Sequence, residues 1–376
     1  MAEHGIDPAD LAESGLGYAN LLFIATVIME LQSAKEAELT LFLVEEPEAH
    51  LHPQLQAVLL DYLREQAEAS PGDGSFGPVG RIQIIATTHS SNLASSVGVE
   101  NVVVLRTKHQ VEHVEVEGGQ TDVIRRMTCA LPLVNLNLSP NEFRKINQYL
   151  DATRAAVLFA RRIILVEGVA EAVLLPVLAR KLVFAHLAAK RREFHAVTIV
   201  NVGSVDFEPY IKLLLGTVDG LRVLERLVVI TDRDPALPSD NGAEDSELSN
   251  RPAKLASVAA ALGAEGRLVV TEAAYTLEAD LLTDVANRSV LEQAYLKQHP
   301  RSRSTWEQIV AATNPAEALY RKLRTNKKFI SKGEFAHDVA IAIESGQPFA
   351  APPYLRDAIT SVVSELGEPG AAPGVD

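Results

Sequence analysis

The sequence predicts an α/β protein centred on an open parallel sheet and followed by a helical C-terminal segment. Two stretches carry this reading, RIILVEG at residues 162–168 and VVITDRD at residues 228–234. Each is a short β-branched run ending in acidic residues, the pattern of a buried parallel strand whose carboxyl end carries chemistry. The first delivers Glu167; the second delivers Asp232 and Asp234. Carboxylates at the C-terminal ends of parallel strands face the crevice where ligands bind in open α/β sheets. A single acid at such a place serves equally as a cap for the following helix, whereas three gathered together repel one another unless a cation neutralises them. Oxygen ligands with no Cys or His nearby suit Mg²⁺ or Mn²⁺ rather than zinc. Glu171, four residues past Glu167, lies one helical turn on, and Asp-x-Asp at period two puts both side chains on one side if the strand continues.

The chain of 376 residues exceeds what one core usually serves, so two or three domains are expected. A hydrophobic content of 47% with 22% charged residues describes an ordinary soluble globular protein. The lone cysteine, Cys129, excludes an internal disulfide framework and a cysteine-based metal site, and reads as a core residue. The opening MAEHGIDPADLAESG has neither a basic start nor an apolar centre, so no secretory signal is read there. The most apolar windows, 21–31 and 172–189, are too short or carry Arg180 and Lys181, so no membrane span follows and a cytoplasmic location is expected. A net charge of -14 argues against a general nucleic-acid coat but leaves room for a local basic patch.

In chain order, Ser14-Gly15-Leu16-Gly17 precedes an apolar run, 19–31, read as a buried helix capped by a Gly-rich turn. A strand at 41–44 runs into Glu45 and Glu46, which as consecutive strand residues point to opposite sides and take different roles, one holding Mg²⁺ and one orienting water. A helix at 53–69, an exposed Gly/Pro/Ser loop at 70–80 and a strand at 81–88 follow, with His89 just past the strand. Two short strands are read near 102–105 and 113–116. A helix over 138–160 then begins with the N-cap and N1 pair Ser139-Pro140 and carries Phe143, Ile146, Leu150, Ala155 and Leu158 at helical spacing. After the first acidic strand come a long helix at 170–190, a strand at 197–202 ending in NVGS with Ser204, and a helix at 207–215. Residues 235–252, rich in Pro, Ser, Asn and acids, read as a loop beside the aspartates, either a flexible lid or plain disorder. A fourth strand at 269–271 leads into TLEADLL, which brings Glu278 and Asp280 to the same edge. From 283 to 345 the pattern is helical, and 321–333 carries Arg321, Lys322, Arg324, Lys327, Lys328 and Lys332 with no acid. Such a run is either a solvated face or, beside a carboxylate metal site, a contact for phosphate backbone. The Gly/Pro/Ala-rich tail, 365–376, reads as disordered.

LVEG before a helix, NVGS at a second strand end, and DRD at a third resemble a Toprim domain, the Rossmann-like parallel-sheet, Mg²⁺-binding fold of topoisomerases, primases and some nucleases, over about residues 161–282. The first part of the chain resembles the C-terminal half of an ABC ATPase head. SGLG matches its signature loop, LFLVEE its Walker B strand with Glu45 as the Mg²⁺-associated acid and Glu46 as the water-polarising glutamate, EAHLHP its D-loop and His89 its switch histidine. No Walker A loop, G-x-x-x-x-G-K-[ST], occurs in the sequence, so ATP is expected to be bound and hydrolysed only with a missing first half of the head, and the chain reads as a piece of a longer protein. LVEG, DRD, TLEADL and KGEFA, in that order behind the ATPase part, make residues 14–343 resemble the C-terminal part of an OLD-family (overcoming lysogenization defect) nuclease. The corresponding division is a partial ATPase head at 1–135, a linking helix at 136–160, a Toprim catalytic domain at 161–283, a helical segment with a basic patch at 284–364 and the tail.

The resemblance implies Mg²⁺- or Mn²⁺-dependent cleavage of DNA by two metal ions, a homodimer in the full-length protein, a helicase partner and a role in phage defence. Two ions about 3.5–4 Å apart stabilise the attacking and leaving oxygens of a phosphodiester. The assignment is Glu167, Asp232 and Asp234 around one ion, Glu171 and Glu278 serving the other, and Ser204 or Asp280 as additional ligands. Lys332 supplies positive charge against the pentavalent phosphate. Two rivals compete. A topoisomerase-like protein needs a tyrosine nucleophile, and the eight tyrosines here lie in no recognisable DNA-cleaving context. A non-catalytic nucleotide-sensing or dimerisation module uses the acids for a structural ion and completes a partner's ATP site with SGLG and His89.

Overall fold

Apolar strands alternating with helices fold into two units, the first formed by residues 1–102 and 147–159 and the second by 103–146 and 160–376. The computed structural model describes residues 15–33, 39–69, 82–116, 119–150, 154–236 and 250–364. The expected loop at 70–80, most of the one at 235–252 and the tail from 365 lie outside the described residues.

The first unit contains α1 (Leu16–Ser33), β1 (Thr40–Glu45), α2 (Pro53–Glu68), β2 (Ile82–Thr87) and the short α3 (Ser91–Ser96). β1 and β2 pair in parallel with Leu43 opposite Ile85. Their small core holds Ile24, Ile28, Leu51, Leu59 and Leu63. The expected buried helix at 19–31 is therefore buried on one face only: Ile24 and Ile28 are inside while Leu22, Phe23 and Met29 are exposed. An apolar run does not bury its whole circumference against so small a core. Gly17 belongs to the first helical turn, not to a turn before it, and a Cβ there would lie 2.6 Å from the His50 carbonyl oxygen. Only glycine allows that approach of helix to loop.

The second unit opens with a long antiparallel hairpin, β3 (Val103–Val116) and β4 (Gly119–Pro132), in place of the two short strands expected near 102–105 and 113–116. Residues 123–128 of β4 are exposed, so this ribbon has no apolar alternation from which it could be read. Cys129, on β4, is half-buried and not a core residue. Helix α4 (Pro140–Tyr149) starts with a reciprocal capping box, Ser139 N–H donating to Glu142 Oε2 at 2.8 Å and Glu142 N–H donating to Ser139 Oγ at 3.3 Å. The expected helix over 138–160 stops at Tyr149 and only a 3₁₀ turn, Arg154–Leu158, follows.

The central sheet has the order β10-β9-β5-β6, all parallel, built from β5 (Arg162–Val166), β6 (Thr198–Asn201), β9 (Arg226–Asp232) and β10 (Leu268–Ala273), with a small ribbon of β7 (Thr217–Val218) and β8 (Leu221–Arg222) apart from it. From β5 the chain moves outward to β6, then returns past β5 to β9 and β10. The strand order therefore reverses between β5 and β9, the place where open α/β sheets bind ligands. Ile163 through Val166 and Leu227 through Val229 are fully buried, which explains their unbroken apolar runs. The helix expected over 170–190 is α5 (Val169–Leu178), a π turn (Ala179–Val183) and a separate α6 (Ala188–His195). Pro176 removes one backbone donor inside α5, and the wider turn, closed by Phe184 N–H on Ala179 O at 2.8 Å, follows it.

Helix α7 (Glu208–Leu215) precedes the ribbon, and α8 (Arg251–Ala261) fills part of what the sequence left as loop and connection. Its run of alanines gives little amphipathic contrast to read. The short α9 (Leu277–Leu281) is followed by α10 (Arg288–Gln298), α11 (Arg303–Val310), α12 (Pro315–Thr325), α13 (Lys332–Glu344) and α14 (Pro353–Val362), so helix continues beyond the expected limit near 345. These helices share one core with α5 and the sheet, in which Tyr295 stacks on Trp306 at 5.0 Å between ring centroids. No described helix is long and apolar enough to cross a membrane.

Ile164, fully buried in the middle of β5, lies between Ile199 of β6 and Val228 of β9 and belongs to the main core. Replacing it with alanine should cost about 2–5 kcal/mol in urea unfolding, because packed cores collapse only partly around a lost side chain.

Candidate metal centre

β5 ends at Val166, paired with Ile230, so the chain delivers Glu167 beside Thr231 and Asp232 at the end of β9. Glu167 Oε1 accepts three hydrogen bonds: from Thr231 Oγ1, from the Asp232 N–H at 3.0 Å and from Arg251 Nη1 at 3.1 Å. Arg251 is itself buried at the start of α8, and the same Nη1 reaches Thr231 Oγ1 at 2.5 Å and the Asp232 carbonyl oxygen at 2.9 Å. One guanidinium thus ties the end of β9 to the end of β5. Sequence reading did not single out Arg251; an isolated arginine before a proline carries no motif.

Beyond Asp232 the strand does not continue. Asp234 has φ of 48°, a left-handed conformation rare for a residue with a side chain. Its N–H donates to Tyr275 O at 3.3 Å, and Tyr320 Oη donates to Pro235 O at 2.8 Å, so neighbouring loops and α12 hold the bend. Asp232 and Asp234 therefore converge through a turn and not through strand pleating as expected. Glu167, Asp232 and Asp234 each place one carboxylate oxygen within 4.8 Å of the others.

Glu171, in the first turn of α5, and Glu278, in α9, are also buried, at 6% and 1% exposure. A Cβ on Gly168 would lie 3.0 Å from Glu171 Oε2, so the glycine lets this carboxylate fold back toward Glu167. Lys332, the first residue of α13, brings Nζ to 3.1 Å from Glu278 Oε2, yet neither Glu278 oxygen accepts a well-aligned hydrogen bond. Arg321 is drawn into an ion pair with Glu317 at 2.6 Å, while Lys322, Lys327 and Lys328 of the basic run are exposed. Asp280 uses both oxygens on backbone donors, Ala274 N–H at 2.6 Å and Tyr275 N–H at 3.1 Å, so it secures the loop from β10 to α9. Ser204 Oγ accepts the Asp206 N–H at 3.3 Å, and neither residue joins the three-carboxylate group.

Burial and like charge dominate the electrostatics. Burial, with Glu278 and Glu167 adding to it against Lys332, raises the Glu171 carboxyl to about 7. Burial, then Glu171 and Glu167, hold Asp232 well above the usual carboxylate range. Glu167 and Asp234 are also raised by burial, the first opposed by its hydrogen bonds and Arg251, the second by Lys332 and Arg324. Burial lifts Asp280 to about 6 against its two backbone donors. Burial pulls Lys332 down, but Glu278, Asp232 and Glu171 outweigh it and leave the ammonium above its ordinary value. Several carboxylates around one point, all-oxygen and without Cys or His, fit a hard divalent cation, which Glu167, Asp232 and Asp234 could hold.

In the first unit, β1 ends at Glu45 and Glu46 leaves it with φ of 43°, so the two glutamates are not opposite faces of a strand. Glu46 Oε1 lies 3.6 Å from His89 Nε2. Glu48, which the sequence reading passed over, accepts Thr88 Oγ1 at 2.5 Å and the His89 N–H at 3.0 Å.

Two outcomes follow from this geometry. The raised Glu171 binds a proton in the folded protein that the unfolded chain releases, so its stabilisation is full below about pH 4.5 and is lost as pH rises through about 7. The melting temperature without divalent cations should therefore fall toward alkaline pH, and Mg²⁺ or Mn²⁺ should raise Tm more at about pH 8 than at about pH 5.5. Arg251→Met leaves Glu167 without its buried counter-charge and should cost about 3 kcal/mol in urea unfolding at neutral pH, with a smaller loss in acid.

Residues 158–234 match the family described as overcoming lysogenization defect protein-like, TOPRIM domain, and residues 7–94 match the AAA ATPase domain family. Among solved structures, the C-terminal region of the Burkholderia pseudomallei OLD protein aligns at 24% identity over 54% of this chain and 97% of that one, with a TM-score of 0.35. The C-terminal region of the Xanthomonas campestris pv. campestris OLD protein aligns at 25% identity over 54% and 94%, with a TM-score of 0.36. No curated protein matches the sequence. An ATPase-type segment is thus followed by an OLD-like Toprim domain, and the strand ends of that domain gather three carboxylates.

Proposed function

We propose that this protein is a divalent-cation-dependent nuclease that hydrolyses phosphodiester bonds of DNA at the carboxylate cluster. The observation that carries the reading is the convergence of Glu167, Asp232 and Asp234 at the point where the strand order reverses. When bound there, Mg²⁺ or Mn²⁺ supplies Lewis-acid stabilisation of phosphate charge and makes water a better nucleophile. The chain's own groups prepare the rest. Arg251, Thr231 and the Asp232 N–H hold Glu167 by one oxygen, so the other keeps a set direction. Glu171 and Glu278 are the groups we assign to a second cation, and Asp280 and Ser204 support loops beside them.

Lys332 places an ammonium against Glu278, where it opposes charge growing on a phosphate. Lys322, Lys327 and Lys328 supply exposed positive charge for the DNA backbone at either side of the cleaved bond. The Glu46–His89 pair is one half of a nucleotide site, which a phosphate-binding loop absent from this sequence would complete; a dimer or a helicase partner would act through that part.

Supercoiled plasmid incubated with the protein in Mg²⁺, Mn²⁺ or EDTA, without ATP, tests the proposal. Cleavage should need the cation, fall about 100-fold or more in Asp232→Ala and fall about 10- to 100-fold in Lys332→Ala. Cleavage that Asp232→Ala leaves intact, or none in either metal, removes this reading. DNA found covalently attached after denaturation would instead assign a topoisomerase-like reaction.

A further inference from the structure

One group beside the cluster has no part in the chemistry above. Tyr354 stands in the first turn of α14, and its hydroxyl is buried with no protein hydrogen-bond partner among the described residues. Phenylalanine would fill the same space without that cost, so the oxygen itself calls for a physical reason.

The backbone around it is closely determined. Asn287, fully buried, donates from Nδ2 to Leu281 O at 2.8 Å and to Ala350 O at 2.9 Å, and its Oδ1 accepts the Ala350 N–H at 2.7 Å. Leu281 ends the short helix that carries Glu278, and Ala350 lies four residues before Tyr354. One amide side chain therefore bolts the start of α14 to the end of α9. From there α14 packs against β5, β9 and β10, two of which end in the metal-site acids.

Glu278 has the complementary deficit, since neither of its buried oxygens accepts a well-aligned hydrogen bond. The Asn287 bridge joins the element of Tyr354 to that of Glu278, the charges that act on the phenol are those of Asp232, Asp280, Glu171 and Glu278, and a phenol carries an O–H donor. No bond from the phenol to any of these carboxylates is formed, and a water meets both needs: it accepts from the phenol and donates twice to carboxylates.

We propose that Tyr354 is a positioning residue whose hydroxyl donates to a water shared with Glu278 and Glu171, ordering the oxygen shell that receives a divalent cation on that side of the cluster. This rests on the nuclease reading only in so far as both need the cation.

The test is Tyr354→Phe in the full chain, with Mn²⁺ binding followed by the electron paramagnetic resonance of free Mn²⁺ in the absence of DNA. The variant should keep its Tm and its near-ultraviolet circular dichroism, while Mn²⁺ affinity falls about five-fold, the effect of one hydrogen bond. In plasmid cleavage the half-saturating Mn²⁺ should rise by a similar factor, with the rate at saturating Mn²⁺ retained. A Tyr354→Phe isotherm that superimposes on wild type overturns the proposal, as does a wild type that binds no Mn²⁺ or DNA trapped covalently on Tyr354. Wild-type protein that binds Mn²⁺ yet cleaves no DNA removes the nuclease reading alone, because the isotherms still decide the role of Tyr354.

Discussion

The mutual repulsion of carboxylates taken out of water is the constraint on which the second unit depends. Glu171, Asp232 and Glu278 are almost wholly buried, and Glu167 and Asp234 stand beside them. Charges so placed lower stability unless each is neutralised, hydrogen-bonded or answered by a cation. The fold uses all three remedies. A proton partly neutralises Glu171, a guanidinium and two neutral donors hold Glu167, and Lys332 stands against Glu278. The balance of positive charge is left for a ligand to supply, which couples cation binding to stability.

Holding the acids in that state demands rigid surroundings, and the rest of the unit supplies them. The two central strands, β5 and β9, are buried on both faces, so the register that pairs Val166 with Ile230 admits no slippage without exposing apolar side chains. Arg251 locks the two strand ends at their last residues, and the left-handed turn at Asp234 is braced from β10 and α12. The C-terminal helices complete the same core and bring Lys332 and Tyr354 to a site whose acids come from the sheet. Val169 of α5 and Gly333 of α13 thus meet because packing requires it, not because the chain keeps them close.

The first unit shows the contrast. Its two strands and three helices gather a small core cluster, Ile24, Ile28, Leu51, Leu59 and Leu63, and one sheet face leaves Leu41, Leu43 and Ile85 exposed. The chemistry-bearing groups there, Glu46, Glu48 and His89, sit at strand ends and in a loop with a left-handed glutamate, so local strain gathers where nucleotide-type chemistry is expected.

Strand and helix identities in the sheet were legible in the sequence because burial on both faces demands unbroken β-branched runs, and because acids at their ends interrupt those runs abruptly. For the same reason Glu167, Asp232 and Asp234 could be named as one group from RIILVEG and VVITDRD alone. Of the long hairpin only short strands near 102–105 and 113–116 were legible, since its exposed stretch at 123–128 imposes no pattern, and the break after α5 follows Pro176 inside an otherwise continuous apolar run. Arg251 and Tyr354 are ordinary letters in the sequence; their meaning comes from the strand order, which reverses between β5 and β9, and from the Asn287 bridge that sets α14 beside Glu278. Local composition determined which residues are charged at a buried strand end, whereas only the folded chain decided which distant side chains answer those charges, because partners in a low-dielectric interior are chosen by packing and not by sequence separation.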